Sequence, residues 1–531
     1  MFKKVTLFLL STTILLYADW NIPQGWGDFR IGLVSDGDLV TNERLRAATQ
    51  DLGIQIAYRY RYINEGVNPA GNACQWVFPK PGNGVNYSKV SYEQTGTQAS
   101  YVIYVLQEEG GRTKLLENIS DPIKMRQFLH TLRIVGENAA GYGATIIVEP
   151  DTWGYLLQER FGSEVDHSKE WDPHKIPAVI NNIPDSTFID TTIIPNWLTG
   201  IHDTIIDTVH LDHSYLSDLP NNMAGLGRAM IRTLRRYAPD SYIGFLASHW
   251  SVNLNLDNNG WSDRGLVWST PELRDTSAKI NIEFFRKFYW GADEYSPKQP
   301  GDDPDFIGME KNGWCAGLWQ SFDGRTNWFW DDTHMENYLQ WVKQIAQGLD
   351  LPVVGWQISI GNMGNNNTAN SEQMANSYQD TFFPYFFSNV DKFLDAGFIG
   401  FLVGKGLPQA TDYTLPSENI GEGGWFFNQL IEFDKGRPYL SPTSSITTPS
   451  NKTPETSRYH ISGNADMLKL SAPGISPVEI KIFDLNGRLL RVQNHTFGET
   501  TISVPLEGLS SGVKVLRIKD EQRVEHHRFY R

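Results

Sequence analysis

Two carboxylates and an indole follow one short apolar segment of the chain. The segment 145–148 is apolar and β-branched, as in a buried parallel strand, and Glu149, Pro150, Asp151 and Trp153 come soon after it. Enzymes that cleave glycosidic bonds use carboxyl groups as acids, bases or nucleophiles, and a flat indole can carry a sugar ring. The pattern predicts either a sugar-cleaving site or a structural turn in which the acids cap the next helix.

A second carboxyl group is needed across the scissile bond, about 5 Å away for retention of configuration and roughly 6.5–9.5 Å away for inversion. Glu149 is the expected proton donor, and the neighbouring Trp153 could raise its pKa by excluding water. Glu310 follows another predicted strand and is the best partner, with Asp151 and Asp212 next. The structural alternatives are an ion pair for Glu310 and a loop cap for Asp212.

Polar and aromatic side chains at the ends of several predicted strands favour a sugar-binding cleft, although each of them alone could serve packing. The seventh predicted strand, 353–358, ends without an acid, so the glutamate nucleophile that is common there in retaining barrels is missing. The expected substrate-binding residues are Trp153, His249, Trp250, Trp314, Trp356, Gln357 and Asn362.

His210, Asp212 and His213 lie close enough in sequence to form part of a metal site. They lack a third spaced ligand and the HExxH pattern of zinc hydrolases. A serine-hydrolase elbow of the Gly-x-Ser-x-Gly type is also missing from the strand ends. We therefore expect no metal and no cofactor, and a metal-dependent hydrolase remains an alternative.

Strands and helices alternate from about residue 28 to residue 429, which predicts an α/β fold built as a (β/α)8 TIM-like barrel. A doubly wound open sheet is the alternative, but no Gly-rich phosphate loop follows the first strand. The long insertion 161–218 could wall a substrate cleft. The predicted strands are 30–35, 54–62, 100–106, 145–148, 242–247, 306–309, 353–358 and 397–403, and the clearest helices are 122–139, 224–237, 277–288 and 336–348.

Composition divides the chain into four parts. Residues 1–18 form a predicted signal peptide, with a basic start, an apolar run too short to span a bilayer and a cleavage site after Ala18. The barrel is predicted to cover 19–440, followed by a Ser/Thr/Pro-rich linker at 441–457 and a small all-β sandwich at 458–531. No transmembrane segment is expected in the mature chain.

The charge and aromatic content bound the class of partner. A formal net charge of −15 argues against nucleic acid and against an anionic membrane surface, because both attract basic proteins. Aromatic residues make up 12% of the chain, with 17 Trp, which fits either stacking on sugars or ordinary packing. The two cysteines, Cys74 and Cys315, either form one disulfide or stay as free thiols. The expected partner is a neutral polysaccharide.

The last part of the chain resembles a known secretion domain. The segments 478–490 (VEIKIFDLNGRLL) and 509–518 (LSSGVKVLRI), with the basic end RFYR at 528–531, are similar to the C-terminal sorting domain of type nine secretion system cargo. That family usually has an aromatic residue where Val513 stands. The resemblance implies an outer-membrane secretion machinery as partner and a secreted or surface-attached protein. A small carbohydrate-binding module is the alternative.

A shorter resemblance concerns the barrel. The phrase IVEPD at 147–151 is similar to the Glu-Pro-Asp strand of glycoside hydrolase family six cellulases, which are secreted inverting β-glucanases. The other hallmark of that family, a Tyr-Asp strand followed by an Arg-Asp-Cys turn, is absent here. The family's catalytic acid is therefore not carried over to this chain.

Taken together, these patterns predict an exported glycoside hydrolase that cleaves a neutral polysaccharide, with β-glucan or hemicellulose as the expected class. A surface protein that binds polysaccharide without cleaving it would share every feature except a competent carboxylate pair. The two differ in whether Glu149 lies within glycosidase distance of Glu310, Asp151 or Asp212.

Overall fold

The structure of the protein is a computed structural model, and it describes part of the chain. The described residues are 30–34, 39–54, 56–64, 97–107, 109–161, 172–181, 183, 186–195, 202–252, 265–292, 302–311, 330–360, 382–404, 415, 417, 424–436, 460–464, 467–471, 477–483, 489–496, 501–506, 513–519 and 524–530.

Eight parallel strands close into a barrel, which confirms the predicted (β/α)8 fold. The barrel strands are β1 Arg30–Val34, β2 Tyr58–Asn64, β3 Gln98–Tyr104, β4 Thr145–Val148, β7 Tyr242–Ala247, β8 Phe306–Glu310, β9 Val353–Ile358 and β10 Phe398–Val403. Each strand pairs with the barrel strands that precede and follow it in the chain, and β10 closes the ring on β1. All eight overlap a predicted strand, because each is a short apolar run of the kind that a doubly covered parallel strand requires.

Helices alternate with the barrel strands. They are α1 Leu39–Arg46, α2 Leu115–Ser120, α3 Pro122–Ala139, α4 Pro150–Phe161, α5 Met223–Tyr237, α6 Gly265–Trp268, α7 Pro271–Trp290, α8 Asp332–Leu349, α9 Phe382–Ser388, α10 Val390–Asp395 and α11 Trp425–Gly436. Helix α7 begins at Pro271 rather than at residue 277 as predicted. Thr270 caps it by accepting a hydrogen bond from the Leu273 N–H, and proline is favourable at the first helical position.

The inside of the barrel is packed solid. Alternate residues of a strand point to the same side, and in β2 the residues Tyr58, Tyr60 and Tyr62 point inward into one cluster with residues of the other strands. Glycines make room for these large rings: a Cβ on Gly244 would lie 2.4 Å from the Phe306 ring. The interior is therefore a core of large side chains opposite small ones, and the strand ends are where a ligand can bind.

A second apolar core lies between the barrel and its helices. Phe288 and Tyr289 of α7 pack on Phe245 of β7, with ring centroids 5.1 and 5.2 Å apart respectively. Both faces of β7 are thus buried, which explains why its sequence is an uninterrupted apolar run.

The predicted insertion after the fourth barrel strand contains a two-stranded antiparallel sheet. Strand β5, Ser186–Pro195, pairs along its whole length with β6, His202–Leu211. Both strands are rich in Thr and Ile, which favour extended backbone, so the sequence carried a signal for this hairpin that the barrel pattern obscured. A role of the insertion as a cleft wall stays a prediction.

The chain divides into two compact units, Met1–Pro438 and Tyr439–Arg531. The second unit contains two antiparallel sheets, of order β11-β12-β15 and β14-β13-β16-β17. Its strands are β11 His460–Asn464, β12 Met467–Ser471, β13 Pro477–Phe483, β14 Leu489–Thr496, β15 Thr501–Pro505, β16 Val513–Lys519 and β17 Val524–Tyr530. Among the residues described, no helix is both long and apolar enough to cross a membrane.

Candidate active site

Three aromatic rings lie together where the inward-pointing residues of the barrel reach the carboxyl ends of the strands. Tyr62 of β2 and Tyr104 of β3 have ring centroids 6.1 Å apart, and Trp356 of β9 lies 6.3 Å from the first and 6.2 Å from the second. We call these three residues the aromatic floor. Trp356 is fully buried and Tyr104 is 8% exposed, so Tyr62 is the partly exposed ring of the three, at the end of the barrel that holds active sites in this fold.

Asp151 lies beside this floor, in the first turn of α4. The Tyr104 hydroxyl donates a hydrogen bond of 2.5 Å to Asp151 Oδ2. Burial raises the pKa of Tyr104 well above its usual value, and the negative charge of Asp151 raises it further. The phenol is therefore a fixed proton-bearing donor, and Asp151 is held as the acceptor.

Glu310 is the last residue of β8 and shares the inward strand face with Phe306. Its side chain accepts a hydrogen bond from the indole N–H of Trp250, and its backbone carbonyl accepts one of 3.0 Å from the Tyr338 hydroxyl. The charge of Glu310 also contributes to the raised pKa of Tyr104. Asp151 and Glu310 therefore both act on the same phenol.

Trp250 is brought to Glu310 by a close approach to helix α4. A Cβ at Gly154 would lie 2.6 Å from Trp250 Cη2, and the ring of Tyr155 lies 5.0 Å from that of Trp250. Glycine at 154 is thus what lets the indole lie against the helix. The predicted site residues Trp250 and Glu310 are brought together by this packing.

Two strand ends carry left-handed backbone at residues other than glycine. Glu149 follows β4, and Gln357 is the second-last residue of β9. Each has φ of +49°. Such conformations cost free energy for residues with a Cβ and are concentrated at functional sites. The side-chain amide of Gln357 donates to the Tyr62 hydroxyl, so the residue that stands where retaining barrels often carry a glutamate contacts the aromatic floor.

Glu149 is fully buried and its carboxylate turns toward backbone. Oε1 accepts from the N–H groups of Val105 and Leu106 at 2.6 and 2.9 Å, and Oε2 accepts from the Thr152 hydroxyl at 2.8 Å. Burial raises the pKa of Glu149 to about 7, although these donors favour the ionised form and act in the opposite direction.

Three other predicted site residues lie away from the aromatic floor. Trp153 is fully buried beside Phe288, with ring centroids 4.4 Å apart, in the core between barrel and helices. Asp212 accepts from the Ser214 N–H and lies 3.6 Å from Arg236 in the last turn of α5, which leads back to the amino end of β7. Asp212 is therefore a loop cap at the other end of the barrel.

The third of them, His249, follows β7 and is buried. Its ring lies 5.6 Å from that of Trp330 and 6.2 Å from that of Tyr338, in edge-on contacts. Burial, together with the charge of Lys311, lowers the pKa of His249 to about 3, so the ring is neutral near pH 7.

Several expectations fall on residues outside the described ranges: Trp314, Asn362, Cys74, Cys315 and the side chain of His210. In the part of the chain that is described, no group of three or more His, Cys, Asp or Glu could hold a metal ion. Tyr62 and Tyr104 were not among the residues singled out from the sequence. The alternating tyrosines at 58, 60 and 62 carried the missing signal, because they share one strand face.

One family model matches the C-terminal part of the chain. Residues 461–530 match the family described as the secretion system C-terminal sorting domain, which confirms the resemblance drawn from the sequence motifs. No curated protein matches the chain.

Among solved structures, three similar chains are named as glycosidases. An endo-β-1,4-mannanase double mutant of Cellulomonas fimi has 8% identity and a TM-score of 0.41, over 95% of this chain and 94% of the other. A Bacteroidetes-affiliated GH5 cellulase has 11% identity and a TM-score of 0.41, over 79% and 95%. A β-glucosidase of Thermotoga maritima has 12% identity and a TM-score of 0.40, over 73% and 86%.

Similarities at this level decide neither fold nor activity. The barrel assignment depends instead on the strand pairing of the protein itself. The resemblance to family six cellulases at the Glu-Pro-Asp phrase is not shown by these comparisons.

Proposed function

We propose that the chain is an exported glycoside hydrolase that cleaves a neutral polysaccharide. The observation that carries this is the placement of Asp151 and Glu310 at the carboxyl end of the barrel, both acting on Tyr104 of the aromatic floor. A pair of carboxyl groups is what glycosidic cleavage generally requires. The net charge of −15 favours an uncharged substrate over an anionic one.

In this proposal Asp151 works as the ionised carboxylate, either as base or as nucleophile. The Tyr104 phenol donates to it, and its place in the first turn of α4 puts it near the positive end of the helix dipole. Both interactions favour negative charge on Asp151. Glu310 is then the group that protonates the leaving oxygen, oriented by the indole N–H of Trp250.

The sugar would lie over Tyr62, the partly exposed ring of the aromatic floor. The amide of Gln357, which donates to the Tyr62 hydroxyl, supplies a polar contact for the hydroxyl groups of a sugar. A β-linked glucan or a hemicellulose fits this surface, because equatorial hydroxyls leave flat apolar faces that stack on aromatic rings.

Export is proposed to depend on the two ends of the chain. The sorting domain at 461–530 would be read by the type nine secretion machinery of an outer membrane, after a signal peptide at 1–18 has directed the first crossing. The mature enzyme would then meet its polymer outside the cell or on its surface.

Release of reducing sugar from a panel of soluble and insoluble polysaccharides tests the activity. The variants are Asp151→Asn and Glu310→Gln, with Glu117→Gln, at an exposed position of α2, as the matched control. We expect both site variants to lose roughly a thousandfold or more in rate while the control keeps its activity. A wild type that binds one polymer but releases no sugar would instead identify a polysaccharide-binding protein.

A further inference from the structure

The carboxylate of Glu149 collects hydrogen bonds from three successive backbone N–H groups. These belong to Val105, Leu106 and Gln107, the residues that directly follow β3, at 2.6, 2.9 and 3.3 Å. The hydroxyl of Thr152 adds a fourth bond of 2.8 Å. Each oxygen of Glu149 thus accepts two hydrogen bonds. The three backbone N–H groups can only donate, so they cannot take a proton from the carboxyl group.

The same short segment is held from its other side. The side-chain amide of Asn118 donates to the carbonyls of Leu106 and Glu109, at 3.0 and 2.6 Å, and Lys124 in turn donates to Asn118 Oδ1 at 2.7 Å. The N–H groups of 105–107 are therefore bonded to one buried side chain, and the carbonyl of Leu106 within the same segment is bonded to another.

We propose that Glu149 is a positioning residue, a latch that fixes residues 105–107 and thereby holds Tyr104 against Asp151. This deepens the proposed function and rests on it, since it concerns the arrangement of the same site. Tyr104 is the residue immediately before the latched segment, and Asp151 is two residues after Glu149. Glu149 thus joins the two ends of the Tyr104–Asp151 hydrogen bond, one through its side chain and the other through the chain itself.

The left-handed backbone of Glu149 directs its side chain toward residues 105–107. Strand alternation would point residue 149 inward with Ile147, but φ of +49° turns the side chain toward the end of the neighbouring strand β3. A glutamate accepts this unfavourable conformation because four hydrogen bonds compensate for it. The proposal assigns proton donation to another residue, since the bonds of both oxygens of Glu149 are already made within the protein.

Glu149→Gln tests the latch, because the amide nitrogen would face N–H donors that it cannot accept from. The first readout is hydrogen exchange of peptides that span 103–107, measured by mass spectrometry. We expect faster exchange there in Glu149→Gln and unchanged exchange in the control Glu117→Gln. Unchanged protection of 105–107 in Glu149→Gln would overturn the proposal, and this readout does not depend on any activity.

The second readout separates a positioning residue from a proton donor. Aryl glycosides with a good leaving group do not need protonation, so a variant lacking its acid keeps activity on them and loses it on poor leaving groups. We expect Glu149→Gln to lose roughly tenfold to a hundredfold in kcat on both kinds of substrate, as a displaced site does. Selective retention of activity on the good leaving group would identify Glu149 as the acid and overturn the latch.

Asn118→Ala provides the same test without touching residue 149, and it serves if Glu149→Gln does not fold. It loosens the same segment from its carbonyl side. We expect faster exchange at 105–107 and a loss in kcat that is again independent of the leaving group. Full kcat in Asn118→Ala despite faster exchange would show that the segment does not position the site. A wild type without activity on any glycoside would refute the proposed function, while hydrogen exchange would still decide the latch.

Discussion

The hydroxyl of Tyr104 and the carboxylate of Asp151 form a 2.5 Å hydrogen bond across the ends of two neighbouring barrel strands. Removing this donor with Tyr104→Phe should leave the fold intact and lower kcat/KM roughly tenfold to a hundredfold, since a hydrogen bond to a charged group contributes about 1.5–3 kcal/mol. Steady-state kinetics with a thermal melt check both parts. Tyr385→Phe on α9 also removes a buried phenol, one that accepts a hydrogen bond from Lys392 of α10, and it should leave kinetics unchanged. Equal losses in the two variants would contradict a specific role for Tyr104.

Gln357 and Asp350 offer a matched pair, as two of the three left-handed residues other than glycine in the described part of the chain. Asp350 has φ of +50° at the C-terminus of α8, and Gln357 has φ of +49° at the candidate site. Glycine accepts this backbone without strain. Asp350→Gly and Gln357→Gly should therefore each raise the free energy of unfolding by up to about 1 kcal/mol. Only Gln357→Gly should lose activity, because only it loses the amide that contacts Tyr62. A fully active Gln357→Gly would show that the amide does not serve the site.

Gly154→Ala should damage activity through Trp250. The added methyl would lie 2.6 Å from Trp250 Cη2, so the indole must move away from Glu310. Gly136→Ala is the control, because its methyl would lie 2.8 Å from Tyr237 Cβ on the outside of the barrel. Both should destabilise by roughly 1–3 kcal/mol through overpacking, measured by denaturant unfolding. A loss of kcat in Gly154→Ala alone is the expected result, and equal kcat in both would separate Trp250 from the chemistry.

Burial of Glu149 should lower the free energy of unfolding as pH rises. Its pKa is about 7 in the folded protein and 4.5 without burial, so its contribution is complete below pH 4.5 and is lost as pH rises through 7. The difference corresponds to about 3 kcal/mol at 1.36 kcal/mol per pKa unit. Urea unfolding of wild type and Glu149→Gln between pH 4.5 and 8 measures it. A constant difference between the two proteins across this range would refute the raised pKa.

Burial of His249 should lower the free energy of unfolding as pH falls. Its pKa is about 3 in the folded protein and 6.5 when exposed, so its contribution is complete above pH 6.5 and is lost as pH falls toward 3. His249→Gln should therefore resist acid better than the wild type, by up to about 5 kcal/mol near pH 3. Acid unfolding followed by circular dichroism measures this. Identical acid midpoints would mean that the imidazole becomes protonated without unfolding the protein.

The barrel could be predicted from the sequence because each strand is buried on both faces, and a short apolar run is the direct result. The direction of a side chain just beyond the end of a strand could not be predicted from the sequence. Trp153 and Glu149 follow the same strand, yet the first lies in the helical core and the second bonds the backbone after β3. Helix α4 starts at Pro150, so strand alternation ends there, and a left-handed glutamate has no sequence signature.

The carboxylate pair shows the same limit. Glu310 stays within its strand, so its inward direction follows from alternation with Phe306. Asp151 finds its donor in Tyr104, 47 residues earlier in the chain, and that contact exists only after the two strands have paired. A contact between strand ends is a property of the closed barrel, so local sequence patterns do not contain it.

The filled interior of the barrel also limits how a polymer can approach. Rings of Tyr58, Tyr60 and Phe306 fill the space below the aromatic floor, so a sugar chain has no room to thread along the barrel axis. In the proposed function, the polymer would instead cross the mouth of the barrel from side to side, over Tyr62. Any preference for chain length or branching would then depend on residues outside the packed interior.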